Sequence, residues 1–311
     1  GDVKLLVGSK DNGAGTLNLG DAGLTSGGSL DGTLSIADES TVNVRAGMFS
    51  ISTMEGTSSS AITIGTAQNA GGLTVGKASL NGANVFLDPA WKDGGNLVSD
   101  ASIGVFESFA NGAVDGRFAV GRNSLLVLGD KDSAWAQKAV QDALDNADLT
   151  WGKDSVTAAL AIKSSQKLSA TGALLVDGSL ATAPSVTENT ATFAGQSLLV
   201  VNAAAADGEG ALQGDGTSRL SVDGGAKLHI MDVKGSQEYT VTSGFVNDKI
   251  EGWQGDDLIV SRLFNAAVNT DGGKFVVKTE AKRPDEFSQY AIPNILAAIA
   301  SGNVNNPDAA G

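Results

Sequence analysis

The sequence predicts an all-β protein that folds as a parallel β-helix, a β-solenoid whose chain coils around one elongated core. Three observations predict this fold: apolar triplets recur in a constant phase, glycine-rich turns separate them, and charged residues are few. The 311 residues include 41 Gly, 5 Pro and no Cys. Glycine this frequent, without a strict period of three, excludes a collagen helix and indicates many tight turns. Hydrophobic residues make up 41% of the chain, enough for a core, whereas charged residues make up 18% and leave mainly Ser, Thr, Asn, Gly and Ala to cover the surface.

The recurring unit consists of two apolar-x-apolar triplets on either side of a short turn. Four turn-type residues, the last of them Ser or Ala, and one further residue separate the triplets. The unit occurs with identical spacing at residues 34–44, 118–128 and 220–230. Its apolar positions form the predicted core, which consists of Leu34, Ile36, Val42, Val44, Phe118, Val120, Leu126, Leu128, Leu220, Val222, Leu228 and Ile230.

Alternation of apolar and other residues places every second side chain on one face of a strand. One coil cannot bury its own apolar row, but coils stacked about 4.8 Å apart bury it against their neighbours. We therefore expect about 10–13 coils of about 20–25 residues each, a rod of order 50–60 Å. The alternative is an antiparallel sandwich or barrel, but two-residue hairpin turns between long alternating strands are scarce. Looser copies of the unit are indicated by Leu17, Leu19, Leu73, Val75, Val85, Leu87, Leu174 and Val176.

A helix is predicted at residues 133–147, within an insertion that spans about 131–148 and packs on the side of the solenoid. Ser133 is the predicted N-cap, and apolar residues at helical spacing form one stripe. The less regular stretch before it, 89–117, is assigned to the same excursion. The stripe consists of Trp135, Ala136, Ala139, Val140, Ala143, Leu144 and Ala147, and the irregular stretch includes Trp91, Phe106 and Phe109.

The sequence pattern changes from strand-like to helix-like near the end of the chain. Residues 285–300 switch to a helix-like pattern that Pro293 interrupts, and residues 301–311 are rich in Asn, Asp, Pro and Gly, as is typical of a linker. The sequence therefore divides into a β-helical segment at 1–283 and a helical linker with a flexible tail at 284–311.

The net charge of −14 argues against two classes of partner. Binding of nucleic acid needs a basic stripe, and docking on an anionic membrane face needs basic residues as well. No run of about 18 or more apolar residues could cross a membrane as a helix. The absence of Cys fits either a protein with few thiols or export through an oxidising compartment, where stray disulfides would trap the chain, and we favour the second.

The sequence predicts no catalytic, cofactor-binding or metal-ligating residue. The only histidine, His229, lies on the phase opposite the apolar row and is predicted to face solvent. One His without Cys does not make a zinc site, and no Gly-x-Ser-x-Gly motif supports a catalytic triad built on His229. Turn chemistry accounts for the Asp residues that precede Gly, although paired carboxylates could also act on a polysaccharide. These residues are Asp31, Asp177, Asp207, Asp215 and Asp223.

Calcium is a weaker alternative for two acidic, glycine-rich stretches. Residues 207–210 read Asp-Gly-Glu-Gly, and residues 214–216 read Gly-Asp-Gly. Calcium rolls need tandem Gly-Gly-x-Gly-x-Asp repeats, and an EF-hand needs alternating Asp residues with a distant Glu. Neither pattern is present, so no metal is assigned.

The order of these features resembles the passenger region of autotransporters, the type V secreted proteins of Gram-negative bacteria. Glycine-rich rungs over 1–283, no Cys, an acidic surface and an Ala-rich terminal helix carry the resemblance. Within about 215–283, the stretch 239–278 is similar to the folding core that such passengers place before their linker. The resemblance implies a right-handed β-helix and a C-terminal membrane β-barrel outside this sequence, whereas the insertion near 133–147 departs from the family.

The resemblance also implies a location and a function. We expect export through the periplasm and outer membrane to the cell surface, adhesion or self-association there, and a role in virulence. Many weak contacts over a long polar face would supply avidity. The expected partner is a host or bacterial surface protein or glycan, or a second copy of the chain. Two alternatives stay open: a structural stalk or folding core for a distal domain, and a polysaccharide-active β-helix enzyme.

Overall fold

The protein is a parallel β-helix, so the predicted fold class is confirmed. Successive coils stack in register, and their strands form long parallel sheets around one continuous apolar core. The hand of the coil stays a prediction. The predicted linker at 284–311, with Pro293, lies outside the described residues except for Glu286. The computed structural model describes residues 3–21, 27–88, 97, 100–150, 156–261, 263–271, 273–283 and 286.

The first sheet contains ten parallel strands, one from each successive rung of the described chain. At about 4.8 Å per rung, ten rungs span about 43 Å, slightly less than the length expected from the sequence. In order across the sheet, the strands are β1 (Val3–Val7), β3 (Gly28–Ile36), β5 (Gly47–Glu55), β7 (Gly71–Ser79), β9 (Ser102–Phe109), β11 (Ser124–Leu128), β12 (Ala158–Ile162), β16 (Ser197–Asn202), β19 (Lys227–Met231) and β22 (Leu258–Ile259).

Across the described ranges, the second sheet contains nine parallel strands, most of them four residues long. The second and fourth residues of each four-residue strand face the core, and the first and third face outward. In order, the strands are β2 (Thr16–Leu19), β4 (Thr41–Val44), β6 (Ala61–Ile64), β8 (Asn84–Leu87), β10 (Arg117–Val120), β14 (Ala173–Val176), β15 (Thr190–Phe193), β18 (Arg219–Val222) and β21 (Val246–Ile250).

A third sheet appears where the coils become longer. From Thr41 to its partner Ala61 the chain advances 20 residues, whereas from Arg219 to its partner Val246 it advances 27. Three strands of this sheet are parallel, and a hairpin that the sequence analysis did not predict adds two antiparallel strands. In order, the strands are β13 (Gln166–Lys167), β17 (Leu212–Gln213), β20 (Glu238–Ser243), β24 (Lys274–Ala281) and β23 (Phe264–Asp271).

The predicted core is confirmed, because all twelve residues of the recurring units are 2% exposed or less. The three units do not occupy equivalent places in a coil, however. The unit at 34–44 passes from the first sheet to the second, whereas those at 118–128 and 220–230 pass from the second to the first. The spacing therefore marks a corner of the solenoid. The last turn residue of each unit is buried in that corner, which explains why it is Ser or Ala.

The helical insertion is also confirmed, and it forms a crossover between neighbouring strands of one sheet. Helix α1 (Ala134–Thr150) begins directly after Ser133, whose carbonyl accepts a hydrogen bond of 2.9 Å from the amide of Gln137. Strands β11 and β12, before and after it, pair directly in parallel. The apolar residues of α1 from Trp135 to Leu144 cover the outer face of the first sheet, where Val127 and Val200 are fully buried.

The assignment of residues 89–117 to the excursion was wrong for the described part of that stretch. Residues 102–109 form β9, a regular rung that pairs with β7 and β11. Phe106 and Phe109 point into the core, where the ring of Phe106 meets that of Phe118 edge to face at 4.9 Å between centroids. The stretch looked irregular because aromatic residues replace the usual aliphatic ones. Trp91 lies outside the described residues.

The core ends in an aromatic cap next to the hairpin. Trp253 is fully buried. The centroid of its ring lies 4.9 Å from the ring centroid of Phe193 and 5.4 Å from that of Phe275 in β24. The backbone of Trp253 has a φ of 60°, a left-handed conformation that costs about 1–2 kcal/mol for a residue with a side chain. Burial of the indole against two aromatic rings offsets this cost.

Candidate functional site

A cleft of about 500 Å³ lies on the outer face of β14, β15 and β18. The chain leaves the regular coil first at the insertion that contains α1 and again at residues 177–189. These residues connect β14 to β15, which are direct parallel neighbours, and the cleft forms there. The returning part of this connection, residues 185–189, makes one wall. The lining consists of Leu175, Ser185, Val186, Thr187, Glu188, Asn189, Thr190, Ala191, Thr192, Thr217, Arg219 and Ser221.

The floor of the cleft is a small grid of outward-facing side chains. In one row Thr190 stands beside Arg219, and in the other Leu175, Thr192 and Ser221 follow one another on three successive strands. Neighbours in a row are about 4.8 Å apart because they sit on adjacent parallel strands. A ligand on this floor would therefore meet a guanidinium, hydroxyls and one aliphatic side chain within a few ångströms.

The wall is fastened to the solenoid by hydrogen bonds and one ion pair. Glu188 accepts a hydrogen bond of 3.2 Å from a terminal nitrogen of Arg117, and the other terminal nitrogen of Arg117 donates to the carbonyl of Ser58 at 2.6 Å. The hydroxyl of Thr190 donates to the carbonyl of Thr187 at 2.7 Å. The wall is therefore held by contacts to two strands, β10 and β15, and Arg117 is in turn tied to the turn that contains Ser58.

The rim beside the wall is organised by Asp215. The amide and hydroxyl groups of Thr217 and Ser218 donate to one oxygen of Asp215, each at 2.8 Å. Led by the amide of Thr217, these donors hold the pKa of Asp215 well below its usual range. The side-chain amide of Asn189 donates to the hydroxyl of Thr217 at 2.9 Å, which joins the rim to the wall.

A polar row occupies the same outer face nearer the start of the chain. It consists of Asn18, Asn43 and Thr63, the third residues of β2, β4 and β6. The side-chain amide of Asn43 donates to the side-chain carbonyl of Asn18 at 2.9 Å. Farther along the same row, the outward residue Phe86 is buried. The polar row and the cleft therefore present hydroxyl and amide groups at two places on one face.

His229 corrects a prediction, because it is buried and does not face solvent. It does lie opposite the apolar row, but α1 packs against the outer face of β19 and leaves His229 only 5% exposed. Its Nδ1 is 3.3 Å from the carbonyl oxygen of Ile259, and its Nε2 has no hydrogen-bond partner in the described part of the chain. Burial lowers the pKa of His229 to about 4, so the ring is neutral at neutral pH.

Two carboxylates of the Asp-Gly turns, those of Asp177 and Asp215, accept hydrogen bonds from residues two or three positions further along the chain. Asp177 accepts hydrogen bonds from the amide and hydroxyl of Ser179 at 2.8 and 2.6 Å, and Asp215 organises the rim in the same manner. Across the described residues, no three His, Asp or Glu side chains converge as metal ligands would. The cleft lining contains one carboxylate, that of Glu188, among the residues described.

No α-helix in the described ranges combines the length and the apolar character needed to cross a membrane. Sequence reasoning did not find the cleft, since Glu188, Arg219 and Arg117 lie far apart along the chain and no motif joins them. No protein-family model matches the chain, and comparison with curated proteins and with solved structures finds no significant match.

Proposed function

We propose that this chain is a surface-exposed adhesion or self-association module of the autotransporter passenger type, and that it makes contact through the outer face of its second sheet. The observation that carries the proposal is the chemistry of that face. The polar row offers amide and hydroxyl groups at one end, and the cleft offers hydroxyls and a guanidinium at the other. Spaced polar contacts on one rigid support favour weak, repeated binding that gains strength by avidity.

The outer face of the first sheet is less suited to contact with a partner. Helix α1 covers its middle strands, so Leu125, Val127 and Leu198 are buried beneath the helix. The second sheet has no such helix in the described residues. Contact with a host or bacterial surface protein or glycan, or with a second copy, is therefore proposed for the second sheet.

Export to the cell surface of a Gram-negative bacterium is part of the same proposal. A Cys-free, glycine-rich parallel β-helix of stacked coils supports it. The decisive observation is the complete gene: a membrane β-barrel encoded downstream supports the passenger assignment, and a gene without one contradicts it.

The test of adhesion compares two faces of the purified chain. Beads coated with the chain are scored for clumping and for binding to bacterial and host cells. Asn43→Glu with Thr63→Glu places two charges in the polar row, and Thr33→Glu with Thr53→Glu places two on the outer face of the first sheet as the matched control. We expect the first pair to reduce binding about tenfold or more, which corresponds to about 1.4 kcal/mol, and the control pair to leave it unchanged. Equal losses in both variants would contradict the proposal.

A structural stalk is the second candidate function, and the aromatic cap favours it. Trp253, Phe193 and Phe275 close one end of the core, as a segment that starts folding or supports a distal domain would require. Beads coated with the wild-type chain would then neither clump nor bind cells, and Trp253→Ala would lower the yield of folded chain.

A further inference from the structure

We propose that the free edge of β23 pairs with β23 of a second copy of this chain, so that the two hairpins form one continuous antiparallel sheet. Among the described residues, β23 is the last strand of the third sheet and pairs only with β24. The contact is separate from the outer face of the second sheet, so it goes beyond the adhesion function proposed above.

Half of the backbone groups of β23 point away from β24. The amide of Lys282 donates to the carbonyl of Leu263 at 2.9 Å, so Leu263 and every second residue after it direct their backbone groups at β24. The residues between them, Ala266, Val268 and Thr270, therefore present their N–H and C=O groups at the free edge. Such an edge accepts a further strand through main-chain hydrogen bonds.

The sequence of β23 lacks the features that usually protect an edge strand. The strand is eight residues long, it contains neither Pro nor Lys, and no bulge interrupts its register with β24. Asp271, at its last position, is its only charged residue. The strand at the edge of the first sheet, β1, is five residues long and carries Lys4. The edge of β23 is therefore the better template for a second strand.

The free edge of β23 is also complementary to itself. A two-fold axis through Val268 would place this residue beside its own copy, and Ala266 opposite Thr270, with about six main-chain hydrogen bonds between the two strands. Val268 is half-buried against the core, and the second valine would cover more of its side chain. Asp271 would lie opposite Asn265, so no like charges meet across the contact.

The charge of the hairpin favours a second copy as the occupant. A net charge of −14 makes two copies of the chain repel each other in general. Residues 264–286 contain four basic and four acidic residues, however, and so carry no net charge. Repulsion between copies is therefore small at this edge.

Sedimentation of the purified chain at increasing concentration tests for a reversible dimer. Ala266→Pro removes one N–H from the free edge without removing a hydrogen bond to β24, and it is expected to weaken the dimer at least about tenfold. Leu6→Pro is the matched control at the edge of β1. The carbonyl of Val7 accepts a hydrogen bond from the amide of Ala37, so the N–H of Leu6 points away from β3. We expect this control to leave the dimer unchanged.

Cysteines introduced into this Cys-free chain test the register of the contact. The Cα atoms of Val268 and its copy would lie about 5.5 Å apart, within reach of a disulfide, and those of Thr270 and its copy more than about 13 Å apart. Val268→Cys should therefore form a disulfide-linked dimer on oxidation, and Thr270→Cys should not. Circular dichroism checks that each variant keeps the fold.

Three results would overturn the inference: a wild-type chain that stays monomeric up to about 1 mM, Leu6→Pro weakening the dimer as much as Ala266→Pro, or equal cross-linking of the two cysteine variants. Asn43→Glu with Thr63→Glu separates this contact from the adhesion function. We expect that pair to leave the dimer unchanged whether or not it reduces the binding of beads, and loss of the dimer in it would also overturn the inference.

Discussion

Replacing His229 should change how the stability of the protein depends on pH. The ring is buried between β19 and α1, and its pKa falls from 6.5 to about 4 on folding because burial disfavours the charged form. Between these two values the unfolded chain binds a proton that the folded chain does not, so the folded state loses stability as the pH falls from about 6.5 towards 4. At 1.36 kcal/mol per pKa unit, the loss is about 3 kcal/mol at pH 4.

Other groups near His229 and elsewhere also titrate, so the prediction concerns a difference between two proteins. Lys227 and Asp257 form an ion pair of 2.5 Å on the same face, and Asp232 attracts the protonated ring. Asp88, whose pKa burial raises to about 6, opposes the trend of His229, because its protonated form favours the folded state as the pH falls. In His229→Leu these contributions remain, and only that of the imidazole is removed.

The assay is urea unfolding of the wild-type chain and of His229→Leu at several pH values from 7.5 to 4. The variant loses the contact with the carbonyl of Ile259, which shifts its stability by a similar amount at every pH. We expect the stability of the wild type relative to the variant to fall by about 3 kcal/mol over this range. A difference that stays constant with pH would refute the reasoning, because it would mean that His229 titrates alike in the folded and unfolded states.

Two further predictions concern the cap and a corner of the solenoid. Trp253→Ala should destabilise the protein by about 3–5 kcal/mol, since it leaves a cavity between Phe193 and Phe275, and Trp253→Phe by clearly less; urea unfolding measures both, and equal effects would contradict the cap. Gly20→Ala should cost about 2–4 kcal/mol, because φ is positive and the added carbon would lie 2.0 Å from a backbone carbonyl oxygen of the next coil. Gly13→Ala, also at positive φ but with open space around it, should cost only about 1 kcal/mol, and a cost equal to that of Gly20→Ala would show that packing of the corner is not the cause.

The core of the solenoid could be predicted because its physical cause is local. An apolar residue at every second position faces the interior in any strand, and the small residue at the end of each turn fits into a tight corner. Leu34, Val42 and Leu220 are therefore buried as expected. The same argument could not tell which sheet a triplet belongs to, because both corners of a coil use the same spacing.

The outer faces could not be predicted so well, because their burial depends on distant residues. His229 is buried by a helix that begins 95 residues earlier in the chain. A signal was nevertheless present: Leu125, Val127, Leu198 and Val200 are apolar at outward positions, so these strands are apolar on both faces, as strands covered on both sides are.

The hairpin has a local signal in the sequence, whereas the wall of the cleft depends on a contact between distant residues. Gly272-Gly273 between two alternating stretches is a sequence signal for a two-residue hairpin turn, although such turns are rare elsewhere in the chain. The outward direction of Arg219 and Ser221 follows from the inward direction of Leu220. The wall of the cleft does not follow from any pattern, since its position depends on the ion pair between Arg117 and Glu188.

Cross-linking of cysteines introduced into this Cys-free chain tests the stacked, in-register coils most directly. Asn43 and Thr63 are register partners on adjacent parallel strands, whereas Asn18 and Thr63 are two strands apart, at about 10 Å. A disulfide needs Cα atoms within about 7 Å, so Asn43→Cys with Thr63→Cys should oxidise readily and Asn18→Cys with Thr63→Cys should not. Failure of the first pair to form a disulfide in the folded chain, or equal oxidation of both pairs, would contradict the parallel β-helix.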